Sequence, residues 1–267
     1  MSGAALRVQD CSFSYGPGEF ALAEISLEVH TGEVLGIVGP NGSGKSTLLR
    51  LMGGFLRPDQ GEVLLGERPL RSTARRRLAT ELAFLPQTPR TAFGFNAREV
   101  ISMGRYPYQG AFGFLREADI RVVERAMSET ATTELAGRSF STLSGGERQR
   151  VLVAGILAQE PSVMLLDEPT AALDIHHQVE VLDLLWRLSR GGLAVVVVTH
   201  DLNAAAQFCD RLALLSGGRM VRVGPPAHVM DAQLLGETYG ADVHVMEHPL
   251  TGKPLVLVLG EGAHATH

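Results

Sequence analysis

Nine consecutive residues, Gly39, Pro40, Asn41, Gly42, Ser43, Gly44, Lys45, Ser46 and Thr47, have the spacing G-x-x-x-x-G-K-[ST], which suits the grip of a polyphosphate. Glycines let successive backbone N–H groups turn inward around phosphate oxygens, and a helix starting there adds its positive dipole end. Lys45 would reach the outer phosphates as a point charge, the Ser46 hydroxyl would coordinate magnesium, and Thr47 would supply a further contact. Only Lys45 and Lys253 are lysines; every other basic residue is an arginine. A lysine kept in such a chain marks a place that wants a compact ammonium rather than a planar fork. The run "VMLLDEPT" supplies a metal side: Asp167 ends an apolar strand, where a carboxylate can hold magnesium through water. Glu168, next in line, can take a proton from an attacking water. These residues predict a hydrolase of ATP or GTP.

A second cradle follows about a hundred residues later. In "LSGGERQR", residues 143–150, Ser144, Gly145, Gly146 and Glu147 open a helix with backbone donors, a hydroxyl and a positive dipole end. Taken alone, the stretch reads equally as an ordinary capped helix start.

The elements that must hold these residues are legible around them. "EVLGIVG" enters the first cradle as a strand, and Leu48, Leu49 and Met52 take up helical spacing after it until Gly53 and Gly54. "ALRVQDCSFSYG" and "LAEISLEVHTGEV" alternate apolar and polar residues, as antiparallel strands do. From about 90 to 160 the pattern turns helical, in "FNAREVISMG", "READIRVVERAMSET" and "ERQRVLVAGILAQ". "SVMLLDE" and "LAVVVVTH", apolar throughout and separated by the amphipathic "HHQVEVLDLLWRLSR", indicate a parallel sheet covered on both faces. Two hairpins follow, "LALLSGGRMVRVG" and "DVHVMEHPLTGKPLVLVL", the second ending in a loose tail.

At 267 residues, 45% hydrophobic and 20% charged, the chain can bury a proper core. A net charge of -5 argues against a non-specific nucleic-acid binder. The longest apolar runs are strand length, far short of the ~20 residues of a membrane span, and "MSGAALRVQDCSF" lacks the plan of a signal peptide. The expectation is a cytoplasmic protein. Cys11 and Cys209 lack metal-like spacing and read as reduced, buried thiols. His176–His177, at a helix start, read as surface or seam, and His264 and His267, in the tail, make a poor metal site.

In order along the chain stand Tyr15, the loop at 39–47, Gln87 in "AFLPQ", "LSGGERQR", "LLDEP" with Glu168, "AALD" at 171–174 and His200 in "VVTHD". In this the sequence resembles the ATP-binding cassette ATPases over nearly its whole length. The resemblance implies a P-loop NTPase (RecA-like) parallel sheet core, with an N-terminal antiparallel β-subdomain and an inserted helical subdomain. It implies a single nucleotide-binding domain over 1–240, core 1–88 and 156–240 with the helical subdomain at about 89–155, and a C-terminal hairpin extension and flexible tail at 241–267. It further implies ATP with magnesium, Tyr15 stacking on adenine, and Gln87 touching both magnesium and the attacking water. His200 would hold Glu168 and that water in line beside the γ-phosphate. Two copies would pack head to tail, so that Ser144 to Glu147 serve the partner's nucleotide and Asp174 lies at the dimer seam.

"VISMGRYPY" followed by G-x-F-G-x-x-x-x-x-D, and the closing "YGADVHVMEHPLTGKPLVLVL", look most like the ATPases of importers for metal chelates, with iron-siderophores foremost and haem or cobalamin next. The implied partners are transmembrane permease subunits, which would dock on the aromatic, Arg-bearing stretch 88–119, and indirectly a periplasmic or lipoprotein substrate-binding protein; nucleic acid is not among them. The implied location is the cytoplasmic face of the cell membrane, peripherally. The rival readings are the ATPase of a different transporter and a soluble cassette ATPase of cofactor assembly.

Overall fold

A computed structural model describes residues 4–258 apart from 17, 20, 88–93, 111–113 and 172. His264, His267, the flexible tail and part of the stretch 88–119 therefore lie outside the described residues. The elements run β1 (Ala4–Ser14), β2 (Ala21–His30), β3 (Val34–Val38), α1 (Lys45–Met52), β4 (Gln60–Leu65), β5 (Arg68–Pro69), α2 (Arg75–Glu81) and β6 (Leu82–Leu85). Then come α3 (Ala97–Ser102), α4 (Glu117–Glu129), α5 (Gly145–Leu157), β7 (Val163–Asp167), α6 (Ile175–Arg190), β8 (Ala194–Val198) and α7 (Leu202–Phe208). The chain continues through β9 (Arg211–Ser216), β10 (Arg219–Gly224), α8 (Pro226–Val229), α9 (Ala232–Tyr239), β11 (Val243–Glu247) and β12 (Pro254–Val258).

The described residues form three sheets. The largest has the order β10-β9-β3-β8-β7-β6, parallel from β9 to β6 with β10 antiparallel at its edge. Its central strands, "VLGIV", "VMLLD" and "AVVVV", are buried at every position. Runs apolar on both faces survive only where both faces are covered. On one face lie α1 and the antiparallel sheet β2-β1-β4-β5, with Leu48, Leu49, Leu51 and Met52 meeting Leu6, Ile25, Leu165 and Val196. On the other lie α6, α7 and α9, through Val181, Leu184, Leu185, Ala206 and Leu235. Helix α1, only eight residues long, would be marginal alone. Burying its four apolar side chains, at roughly 1.5–3 kcal/mol each, fixes it.

Between β6 and β7 the helices α3, α4 and α5 build a separate small core from Val100, Ile101, Val123, Met127, Val151 and Ala154. The residues that marked the importer subgroup meet where this insert joins the sheet. Arg105, 5% exposed, donates from Nε to Asp119 Oδ1 at 2.9 Å and from Nη1 to both Ala158 O and Glu160 Oε2 at 2.8 Å. Its guanidinium lies 3.8 Å from the centroid of the Tyr108 ring, whose hydroxyl donates to Gln159 O at 2.8 Å. Burial works to raise the Asp119 carboxyl, but the Arg116 N–H and Arg105 overcome it and hold it below the usual aspartate range. The C-terminal hairpin β11–β12 docks on α7, with Asn203 exchanging two hydrogen bonds with the backbone of Val256.

Candidate active site

In a parallel sheet the loops after the strands share one edge, and ligands gather there. Strand β3 delivers the loop 39–47, β7 delivers Asp167 and Glu168, β8 delivers Thr199 and His200, and β6 delivers Gln87. The register aligns these strand ends, Ile37 with Val198 and Asp167 with Val198.

The loop after β3 is tight. At Gly39, φ is +151°, and a Cβ there would lie 2.0 Å from Leu215 O, so only glycine lets the chain pass. Gly44 is the N-cap of α1, at φ 105°, and the helix has neither a side-chain cap nor an acidic residue in its first turn. A helix start left uncapped and free of carboxylates fits an anion. Lys45, 6% exposed, folds back to donate to Gly39 O at 2.8 Å and Pro40 O at 2.9 Å. Burial pulls its ammonium below the ordinary range, opposed by the charges of Glu168 and Asp167. A buried cation held only by carbonyls gains when an anion arrives.

Ser46 Oγ donates to Asp167 Oδ1 at 3.1 Å, bringing two hard oxygens together at the sheet edge. Burial pushes the Asp167 carboxyl up, against the pull of the Ser46 hydroxyl. A divalent cation would relieve this, and oxygen donors of this kind suit magnesium. Glu168 has φ 49°, a left-handed backbone unusual outside glycine, and its amide donates to Val198 O at 3.0 Å. That turn lifts its carboxylate out of the sheet: Gln87 Nε2 donates to Oε2 at 2.8 Å, and His200 Nδ1 lies 3.6 Å from the same oxygen. Tyr15, 48% exposed, stands edge-on to Phe13 at 4.9 Å with its hydroxyl 3.3 Å from Thr47 Oγ1. Tyr15, Asn41, Gly42, Gly44, Lys45, Ser46, Thr47 and Glu168 line one open cleft of about 330 Å³.

The second cradle stands elsewhere. None of Ser144, Gly145, Gly146 or Glu147 lines that cleft. Ser144 caps α5: its Oγ accepts from the Glu147 N–H at 3.3 Å, and Glu147 Oε2 accepts from the Ser144 N–H at 2.8 Å. That N–H, helped by Arg138 at 2.6 Å, holds the Glu147 carboxyl below its usual range. The Glu147 side chain is thus engaged within its own chain, and of the two glycines beside it Gly145 is exposed while Gly146 is buried. Asp174 caps α6, accepting from the His177 N–H at 3.0 Å.

The profile of the ABC transporter family matches residues 22–171. The chain belongs to the ABC transporter family. Two curated relatives of this ABC protein are the hemin import ATP-binding protein of Thermobifida fusca (strain YX), 47% identical over 94% of this chain and 88% of its own, and the ferric enterobactin transport ATP-binding protein of Escherichia coli (strain K12), 38% identical over 100% and 99%. Among solved structures, an inward-facing conformation of a metal-chelate type ABC transporter superposes with a TM-score of 0.85 at 28% identity, over 97% of this chain and 99% of the other. The ABC cassette fold read from the sequence is the fold of the molecule, and the protein is an ATPase whose hydrolysis is coupled to transport. No helix among the described residues is long and apolar enough to cross a membrane.

The sequence left two features of the site unread. The left-handed turn at Glu168 carries no composition signal, since glutamate there is against propensity. The contact between Gly146 and His177 joins residues 31 apart on two helices.

Proposed function

We propose that this chain powers uptake of an iron chelate, haem first and a ferric siderophore next, through separate membrane permease subunits. It would work as a head-to-tail pair at the cytoplasmic face of the membrane, with a substrate-binding protein feeding the permease. The hemin import relative, at 47% identity, supports haem ahead of the ferric enterobactin relative at 38%, reversing the order that the sequence motifs suggested. On this reading residues 1–240 form the nucleotide-binding domain, with its helical subdomain at about 89–155, and 241–267 an extension.

The roles follow from chemistry. Tyr15 offers a ring for adenine, and the amides of 39–47 with Lys45 receive the phosphates. Ser46, Asp167 and Gln87 would hold magnesium, which supplies charge neutralisation on the phosphate oxygens. Glu168 accepts a proton from water as the water oxygen bonds to the γ-phosphorus and the bond to ADP breaks. Gln87 and His200, both facing Glu168 Oε2, keep that carboxylate aimed. Asp174 stands at the seam. The observation that supports the paired reading is the separation of the two cradles: the helix start at Ser144–Glu147 lies outside its own chain's nucleotide cleft, so a nucleotide held there would come from a second copy.

Transport of a radiolabelled panel of haem, ferric siderophores and cobalamin by the complex reconstituted with its permease tests the cargo. Haem uptake that requires ATP and stops in the Glu168→Gln complex is expected. Uptake of cobalamin or of no chelate in the panel would overturn the assignment.

A further inference from the structure

Residues His176–His177 entered no role in the mechanism, yet one of the two rings fills a specific space. A Cβ on Gly146 would lie 2.0 Å from His177 Cδ2, 2.5 Å from Cγ and 2.9 Å from Nε2, so the ring occupies the notch that this glycine leaves open. The same ring is fixed from its other side, where His177 Nδ1 donates to Asp174 Oδ1 at 2.7 Å. Asp174 Oδ1 also accepts from the His177 N–H at 3.0 Å. Beside it, a Cβ on Gly145 would stand 3.3 Å from Leu173 Cδ2, and one helical turn on, Arg150 Nη1 donates to Glu180 Oε2 at 2.6 Å. The starts of α5 and α6 are therefore locked face to face, with an imidazole as spacer. The side chain of His177 is 29% exposed, and no cluster of three metal-ligating residues is present among the described residues, so a ligand role has no support.

We infer that His177 is a positioning residue for the second cradle: seated on Gly146 and bonded to Asp174, it holds the Gly145–Gly146 amides and the Asp174 turn as one unit that meets the partner chain's nucleotide. This rests on the head-to-tail reading above. Donors aimed at a phosphate contribute only when their direction is fixed, and glycine amides at a helix start have no side chain of their own to fix them. Without the ring, the α5 start is free to tilt towards α6 and the cradle loses its aim. Binding of ATP to a single chain uses residues 39–47 and is untouched.

The test uses the full chain carrying Glu168→Gln, whose ATP-driven dimer is followed by sedimentation velocity across an ATP titration. Adding His177→Ala is expected to raise the ATP concentration for half-dimerisation about tenfold, the usual scale of coupling between touching residues. Affinity of the dilute monomer for a fluorescent ATP analogue stays within about twofold, because that site is unchanged. Gly146→Ala alone is expected to abolish dimerisation by driving a methyl into the ring, and Gly146→Ala with His177→Ala together to recover much of it. Should His177→Ala melt early, His177→Asn, which keeps a donor for Asp174 and drops the ring, carries the same test. Dimerisation of the His177 variant at the parent's ATP concentration, or a double variant no better than Gly146→Ala, overturns the inference and leaves the paired reading intact. A Glu168→Gln parent that stays monomeric at saturating ATP refutes the paired reading and this inference with it.

Discussion

Replacing Glu168 by Gln removes a proton acceptor while keeping the side chain's volume and its remaining carbonyl oxygen. That oxygen can still accept from Gln87 Nε2, now at 2.8 Å, so the local geometry survives. The left-handed turn at φ 49° is equally open to glutamine, and the backbone bond to Val198 O is unaffected. On the role proposed for Glu168, what is lost is general-base catalysis, worth about 10²- to 10⁴-fold, or about 3–5 kcal/mol of barrier. Stability should hold or rise slightly, because Glu168 adds its charge to the burial that already pushes the Asp167 carboxyl up. The assay is phosphate release at saturating ATP, with ATP affinity and Tm measured on the same samples. Turnover reduced by a hundredfold or more, with ATP affinity intact, is expected. Turnover within about threefold of the parent would remove Glu168 from the reaction and leave the 2.8 Å contact to Gln87 a structural one.

Ser144→Arg removes the α5 cap and fills the cradle: ATP binding by the monomer persists, the ATP-bound dimer does not form, and Tm falls by a few degrees for about 1 kcal/mol of lost cap, read by calorimetry. Arg105→Met leaves Asp119 buried without its partner, at about 3–5 kcal/mol, and Tm should drop by roughly ten degrees. The same pair gives the fold an acid limit. Asp119 is held below its ordinary value of 3.8, so its contribution is fully present above that pH and fades as pH falls through the lower folded value. The Tm gap between parent and Arg105→Met should narrow below about pH 4, and a gap constant down to pH 2 would show that the pair is not the cause.

The loop of the candidate nucleotide cleft is plain in the sequence because its backbone is constrained: Gly39 has no room for a Cβ and Gly44 sits at φ 105°, so the demand appears as glycine spacing. The buried strands are as plain, since a sheet covered twice must be apolar throughout. Helix α2 escaped notice because none of its residues is buried, and a helix without an apolar face has no period to read. Strand β4 escaped because it completes the antiparallel sheet by pairing with β1 from far along the chain, as Leu6 does with Leu65, and β5 because it is only two residues long and pairs with β4 alone. The motif "GRYPY" was visible only as a family mark; its physical content, a buried guanidinium joining the helical insert to the sheet, needed Asp119 and Glu160 brought from elsewhere.

Cross-linking between copies tests the central claim most directly, that each nucleotide is shared by two chains. Asn41 and Ser144 are exposed, while Cys11 and Cys209 are buried, the latter with its thiol pushed up to about 12 by burial and so unreactive. A chain carrying Asn41→Cys and one carrying Ser144→Cys, each with Glu168→Gln, are mixed and treated with a short bismaleimide. A cross-linked pair that forms only in the mixture and only with ATP is the expected result. Pairs formed by either variant alone, or formation indifferent to ATP, would contradict it.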